Sequence, residues 1–137
     1  MKVKNYMTRD ITSVLEDTSM EYLIKVLFRH KRSTIPVVNN ENKVIGSVST
    51  TNIYEALQPG QINHSADLED LLRTMKEKKV SNYLHTGLPI VYENDEIIKA
   101  INLLLRNNLD AIFVVNNEHI LTGFISSIDL LASIIKH

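Results

Sequence analysis

Apolar residues in the first half of the chain follow two different periods. Between residues 20 and 28 they recur three and four positions apart, which predicts one buried helix face. The runs "TIPVV" and "KVIGSVS" that follow are typical of strands. An asparagine-rich stretch between them, "NNEN", predicts a turn, because asparagine tolerates a left-handed backbone. With "ITSVL" before and "NIYEAL" after, the order reads strand, helix, strand, strand, helix.

The first predicted helix has a start signal as well as an apolar face. Thr18-x-x-Glu21 has the spacing of a capping box at its beginning. The residues expected to share the buried face of the helix are Met20, Leu23, Ile24, Leu27 and Phe28.

The same pattern occurs a second time, 77 residues later and without a gap. "VKNYM" at Val3 matches "VSNYL" at Val80, and "VVNNE" occurs in both halves. We call residues 77 positions apart repeat mates; Gly46 and Gly123 are one such pair. A gap-free match of this length indicates an internal duplication. We therefore divide the chain into a first copy, residues 1–57, and a second copy, residues 80–137.

The predicted elements of the second copy follow from its own residues. It contains "LPIVY", "AIFVV", "NNEH", "ILTGFIS" and "DLLASII" at the matching positions. The residues expected on the buried face of its first helix are Ile97, Ala100, Ile101, Leu104 and Leu105.

Residues 58–79 join the copies and have no repeat mates. Pro59-Gly60 interrupts the chain, and the apolar residues after it fall at helical spacing. These residues are Leu68, Leu71, Leu72 and Met75. We expect a connecting helix with one buried stripe. A copy of about 55 residues buries little surface alone, so the two copies should pack on each other about a pseudo-twofold axis.

Composition narrows the class of protein. The chain has 137 residues with 15 basic and 16 acidic side chains, a net charge of −1 that argues against nucleic acid as a partner. There is no cysteine, so disulfides and thiolate metal sites are excluded, and the five histidines show no metal-ligand spacing. No apolar run is long enough to span a membrane, and "MKVKNYMTRD" does not resemble a secretory signal. We expect a cytoplasmic protein that has no membrane partner and binds no metal ion.

The stretch "GFISSIDLL" allows two interpretations. Ser126-x-x-Asp129 has the spacing of a capping box, and an acid in the first turn suits the helix dipole. The mate stretch "GSVSTTNIY" has Asn52 where the second copy has Asp129. Asp129 therefore either starts a helix only or also holds a ligand.

These motifs resemble the CBS domain, named after cystathionine β-synthase, in its tandem form, the Bateman module. The resemblance rests on "VKNYMTRDITSV", on "STIPVVNNENKVIGSVSTTNI" and on their mates. It implies an α/β fold of two β-α-β-β-α units packed about a pseudo-twofold axis. It also implies clefts that bind an adenine nucleotide or related ligand: AMP, ADP, ATP, S-adenosylmethionine or a cyclic dinucleotide. Such modules are regulatory and often form homodimers, so a separate effector protein is expected.

The resemblance assigns the ligand contacts of each cleft. In the second copy, Asp129 would accept hydrogen bonds from the ribose diol, and the serines at the helix start would favour phosphates. The full set there is Leu88, Pro89, Ile90, Asp110, Ala111, Ile112, Phe113, Ser126, Ser127 and Asp129. In the first copy the corresponding residues are Thr12, Ser13, Thr34, Ile35, Pro36, Ser49, Thr50 and Asn52.

Several residues depart from the family pattern. Asn52 supplies one acceptor oxygen where the family has a carboxylate, which predicts a weaker first cleft. Phe113 replaces a proline and would either close the second cleft or stack on a base. Thr51 and Ile128 stand where many members carry a basic residue. The "RHKR" cluster at 29–32 is an alternative source of cations for phosphate. Its default interpretation is a solvated helix end, where cations suit the helix dipole.

Three functions are consistent with these residues. The first is a nucleotide-sensing regulatory module that signals to a partner protein. The second is a ligand-free dimeric assembly module with degenerate clefts. The third, an enzyme acting on nucleotides, is not expected, because the sequence contains no nucleophile elbow, metal cluster or glycine-rich phosphate loop.

Overall fold

The computed structural model describes residues 1–57, 69, 70, 73 and 75–136. The first copy contains β1 (Val14–Leu15), α1 (Met20–His30), β2 (Thr34–Val38), β3 (Val44–Ser49) and α2 (Thr50–Leu57). The second copy contains β4 (Ile90–Tyr92), α3 (Ile97–Asn107), β5 (Ala111–Val115), β6 (Leu121–Ser126) and α4 (Ser127–Lys136). Single 3-10 turns, Val3–Asn5 and Val80–Tyr83, precede the two sets. The predicted strand, helix, strand, strand, helix order is confirmed in both copies.

Each copy forms one three-stranded sheet. The strand orders are β1-β2-β3 and β4-β5-β6, so the middle strand of the sequence is also the middle strand of the sheet. β1 runs parallel to β2 and β4 runs parallel to β5, each pair being joined through a helix as a parallel connection requires. β5 and β6 are antiparallel and are connected by the asparagine-rich turn. No helix of the described residues is long and apolar enough to cross a membrane.

The chain folds into two compact units whose membership differs from that of the copies. The terminal unit contains Met1–Thr12, Glu41–Val44 and Leu88–His137, and the central unit contains Ser13–Asn40 and Ile45–Gly87. The segment in front of each copy therefore packs with the other copy's helices and strands. Residues 1–12 belong with the second copy, and the segment at 80–87 belongs with the first.

The repeat mates Val3 and Val80 illustrate this exchange. Val80 is fully buried in the core of the central unit, beside residues such as Leu23 and Val37. Val3 is fully buried in the core of the terminal unit, beside residues such as Ala100 and Ile125. Each valine closes the core of a unit built mainly from the other copy.

Two sequence predictions about the helices need correction. The cap of α1 is Ser19, whose Oγ accepts a hydrogen bond from the Tyr22 N–H at 3.2 Å, and not Thr18. On the predicted buried face, Phe28 and its mate Leu105 are 73% and 77% exposed. Helical spacing identifies residues that share a direction, but these two lie at the margin of the stripe that the sheet covers.

The connecting segment is described only in part. Glu69, Asp70, Arg73 and Met75–Glu77 are helical, and Met75 is buried in the core of the central unit. This agrees with the expected helix as far as it is described. Pro59, Gly60, Leu68, Leu71 and Leu72 lie outside the described residues.

Candidate functional site

The start of α4 is a complete capping box. The Asp129 N–H donates to Ser126 Oγ at 3.0 Å, and the Ser126 N–H donates to Asp129 Oδ2 at 3.0 Å. The predicted role of both residues as helix caps is therefore confirmed. Asp129 is half-buried, and no described residue forms an ion pair with it. Its carboxylate therefore has no cationic partner within the described chain.

A third group reaches Asp129 from the other end of the sequence. The hydroxyl of Thr8 donates to Asp129 Oδ2 at 3.2 Å across 121 residues. The backbone of Thr8 exchanges two hydrogen bonds with Phe124 in β6, at 2.8 and 2.9 Å. Among the described residues, Oδ1 of Asp129 has no hydrogen-bond partner, so one carboxylate oxygen is left for another donor.

The start of α2 repeats the box with an amide. The Asn52 N–H donates to Ser49 Oγ at 3.1 Å, and the Ser49 N–H donates to Asn52 Oδ1 at 3.1 Å. The Ser49 hydroxyl also donates to Asn52 Oδ1, at 2.9 Å. The amide oxygen thus receives both of its hydrogen bonds from its own turn.

The glycines before these turns are explained by close backbone approach. A Cβ on Gly123 would lie 2.2 Å from the carbonyl oxygen of Thr8, and one on Gly46 would lie 2.6 Å from that of His85. Thr8 and His85 are repeat mates, and His85 pairs with Ser47 as Thr8 pairs with Phe124. A glycine is required because the exchanged segment crosses the strand directly above it.

Most predicted contacts of the second cleft meet at one edge of the sheet. Ala111 opposes Ser126 in the β5–β6 ladder, and the Ser127 N–H donates to the Asp110 carbonyl at 2.8 Å. Leu88 and Pro89 precede β4, whose parallel partner β5 begins at the same edge. All of these residues are half-buried or exposed at this edge, which leaves polar groups accessible beside Asp129.

The remaining three members of the set lie within the strands, and two of them are buried. Ile90 is half-buried opposite Phe113, while Ile112 and Phe113 are only 1% and 6% exposed. Ile112 belongs to the core of the terminal unit. Phe113 is therefore a buried sheet residue in this structure and offers no exposed ring for stacking.

The first-copy candidates occupy the matching positions of the central unit, apart from one. Thr34, Ile35 and Pro36 lie in β2, with Ile35 and Pro36 buried. The Thr50 N–H donates to the Ser33 carbonyl at 2.9 Å, as Ser127 does to Asp110. Ser13 precedes β1, whereas Thr12 is the last residue of the first segment of the terminal unit.

Few free donors remain at the start of α4. The backbone N–H groups of Ser126, Ser127 and Asp129 are already bonded within the unit. Among the described residues, the hydroxyls of Ser126 and Ser127 and the Ile128 N–H remain for a ligand. A helix start favours negative charge, but this one has little capacity for a multiply charged phosphate chain.

Two basic side chains of the described residues are engaged in other contacts. Arg9 Nη2 lies 2.9 Å from Glu93 Oε1. That hydrogen bond holds the pKa of Glu93 below its usual value, against the opposing effect of burial. In the "RHKR" cluster, Lys31 Nζ lies 4.0 Å above the ring of Phe28, and Lys31 ends α1 with a left-handed backbone. The structural interpretation of that cluster is favoured over phosphate contact.

Sequence reasoning missed Thr8. Its contact with Asp129 depends on docking of the first segment onto β6, and hydrophobic period carries no signal for that docking. The repeat shows only that Thr8 aligns with His85, and this difference does not reveal a contact with Asp129. Within the described residues, no group of three or more histidine, aspartate or glutamate side chains could hold a metal ion.

Family comparison agrees with this duplicated geometry. The CBS domain model matches twice, over residues 3–59 and 80–136. The chain belongs to the CBS domain family. The matched pair is a regulatory and not a catalytic type of domain. The two capping turns and the two exchanged segments are thus features of a CBS pair.

Solved structures share this fold. A CBS domain-containing protein from Bacillus anthracis is 21% identical with a TM-score of 0.85, covering 99% of this chain and 94% of the other. CBSX2 in complex with AMP is 20% identical with a TM-score of 0.77, covering 98% and 96%. These similarities establish the fold of a CBS pair.

Two curated relatives are much longer than this chain. Protein MJ1404 of Methanocaldococcus jannaschii is 26% identical over 123 residues, covering 90% of this chain. The chain spans only about a quarter of that protein, 26% of its length. The homoserine O-acetyltransferase of Methanococcoides burtonii is 23% identical over 128 residues, and the chain spans 23% of it.

Proposed function

We propose that this CBS pair is a regulatory module that binds an adenosyl ligand beside Asp129 and signals to a separate effector protein. The observation that carries the proposal is the free Oδ1 of Asp129, which lies at a sheet edge among accessible polar groups. A carboxylate oxygen without a partner accepts hydrogen bonds from a ribose diol. The AMP complex of CBSX2, a protein of the same fold, supports the choice of an adenine nucleotide.

The charge of the site favours a ligand with few phosphates. No described cation pairs with Asp129, and most backbone donors at the start of α4 are already used. AMP or S-adenosylmethionine suits this site better than ATP, because the phosphates of ATP would lie near a carboxylate with no cation to offset the charge repulsion. We expect AMP to bind more tightly than ADP, and ADP more tightly than ATP.

Isothermal titration calorimetry with AMP, ADP, ATP and S-adenosylmethionine tests the proposal. Asp129→Asn is the informative variant, because Asn52 shows that asparagine closes the same capping box. We expect a stable protein with at least tenfold weaker AMP binding, since a charged hydrogen bond is worth about 1.5–3 kcal/mol. Asn52→Ala serves as the control and should leave tight binding in place. Lack of binding of all four ligands at millimolar concentration would refute the sensing function.

A second candidate function, a dimeric assembly module, is favoured by the exposed face of α4. Ile128, Leu131 and Ile135 are 74%, 60% and 84% exposed and lie at helical spacing. We propose that a second copy of this chain covers them. A twofold interface pairs one patch with itself, and an apolar helix face suits the centre of a standard interface of about 800 Å² per partner.

Sedimentation velocity tests this assembly directly. The unaltered chain should sediment as a dimer at micromolar concentration, and Leu131→Asp should sediment as a monomer with an unchanged circular dichroism spectrum. Asn102→Asp, at an exposed polar position on α3, is the matched control. A monomeric unaltered chain, or a dimer that survives Leu131→Asp, would contradict the proposed interface. Dimerisation without nucleotide binding would favour the assembly function over sensing.

A further inference from the structure

Thr8 is held in place more firmly than a surface threonine. Its backbone forms both hydrogen bonds of an antiparallel bridge with Phe124. Its carbonyl oxygen lies above Gly123, where a Cβ would approach to 2.2 Å. The hydroxyl, 3.2 Å from Asp129 Oδ2, is thus presented by a backbone with little freedom to move.

The hydrogen bonds around Asp129 are divided unevenly between its two oxygens. Oδ2 accepts from the Ser126 N–H and from the Thr8 hydroxyl, which uses both of its lone pairs. Oδ1 has none from the described residues. We propose that Thr8 is a positioning residue that fixes the Asp129 carboxylate with Oδ1 as the acceptor for a ligand hydroxyl. This inference rests on the proposed function.

The first copy shows what happens without this threonine. The mate of Thr8 is His85, and there the Ser49 hydroxyl supplies the second hydrogen bond to Asn52. In the second copy Thr8 supplies that bond, and the Ser126 hydroxyl donates to no described residue. Thr8 therefore leaves a free acceptor, Asp129 Oδ1, close to a free donor, the Ser126 hydroxyl.

A free acceptor beside a free donor matches a vicinal diol. One ribose hydroxyl donates to Asp129 Oδ1 and the other accepts from Ser126, so the site should distinguish a ribose from a dideoxyribose. Thr8 controls this distinction without touching the ligand. Its loss would let the Ser126 hydroxyl turn back to the carboxylate, as the Ser49 hydroxyl turns to Asn52.

The test compares AMP with 2′,3′-dideoxy-AMP by calorimetry. We expect the unaltered chain to prefer AMP at least tenfold. Thr8→Val, which keeps the shape and removes the hydroxyl, should weaken AMP binding about tenfold and reduce the preference to about twofold. Thr8→Ser should restore both values. His85→Val, the change at the repeat mate, should leave both unchanged.

The outcomes separate the inference from the function on which it rests. Thr8→Val with an unchanged preference for AMP over the dideoxy analogue overturns the positioning role and leaves the nucleotide site standing. Weaker binding of both ligands by the same factor also overturns it, because a purely structural role would act in that way. If the unaltered chain binds neither ligand, the proposed function fails, and this inference fails with it.

Discussion

The two capping turns share a backbone but distribute their hydrogen bonds differently. In the first, Asn52 Oδ1 receives the N–H and the hydroxyl of Ser49, so the turn satisfies itself. In the second, Thr8 takes the place of that hydroxyl, and Asp129 keeps one oxygen free. The first turn is closed within four residues, 49–52, whereas the second draws a donor from the far end of the chain. A self-satisfied turn is a sufficient cap, and an incompletely satisfied one has capacity left for a ligand.

The largest expected effect concerns the glycines that both turns share. Gly123→Ala should lower the free energy of unfolding by about 3 kcal/mol, because its Cβ would meet the rigid backbone of Thr8 at 2.2 Å. Gly46→Ala should cost less, since its closest contact is 2.6 Å. Urea denaturation measures both. Gly87→Ala, where a Cβ would meet only the flexible His85 side chain at 3.3 Å, is the control and should cost little.

The second effect concerns the transfer of the ligand site between copies. Asn52→Asp together with His85→Thr reproduces the Asp129 and Thr8 pair in the central unit. We expect the AMP stoichiometry of this double variant to rise from one toward two per chain in calorimetry, with the new site about tenfold stronger than in Asn52→Asp alone. Equal binding by the single and double variants would show that the carboxylate alone distinguishes the two turns.

The third effect concerns the caps themselves. The Ser49 hydroxyl both donates to and accepts from Asn52, whereas the Ser126 hydroxyl only accepts from Asp129. Ser49→Ala should therefore destabilise by about 2 kcal/mol and Ser126→Ala by about 1 kcal/mol, within the usual range for helix caps. Thermal unfolding without ligand ranks the two. A larger loss for Ser126→Ala would mean that the hydrogen bonds of the two hydroxyls do not determine the difference.

The smallest effect is a dependence on pH that arises in the terminal unit. Arg9 lowers the pKa of Glu93, whereas Thr86, the repeat mate of Arg9, carries no charge. Because the pKa of Glu93 is lower in the folded than in the unfolded chain, its contribution is present above the unfolded value of about 4.5 and is lost as pH falls through the folded value. Arg9→Thr should therefore lose less stability than the unaltered chain between roughly pH 5 and pH 3. Identical pH profiles would show that the ion pair contributes nothing.

The sequence predicted the fold well where local pattern determines structure. The offset of 77 residues extends to backbone conformation: Lys31 and Asn108 share a left-handed φ, and so do Asn42 and His119. The asparagine-rich turn predicted Asn42, because asparagine adopts a left-handed conformation more readily than most residues. Lys31 follows only from its repeat mate Asn108, because lysine has no such preference.

The remaining features depend on long-range contacts. Phe28 was expected to be buried but is exposed. The periodicity of apolar residues defines a helix face but not how much of that face is covered. The capping boxes were predictable because their partners lie three residues apart. The Thr8 contact was not, since a threonine and an aspartate 121 residues apart share no local signal. The two capping turns were therefore predicted, whereas the hydrogen bond from Thr8 to Asp129 was not, and the ligand contacts stay a prediction.

The exchanged segments also determine the order in which the chain can fold during synthesis. The residues of the central unit, 13–40 and 45–87, are synthesised before β6. Residues 1–12 are synthesised long before their partners Gly123 and Phe124. At about 5–20 residues per second, the first segment waits several seconds with Val3 and Met7 uncovered. Its apolar side chains are therefore accessible to chaperones during that interval.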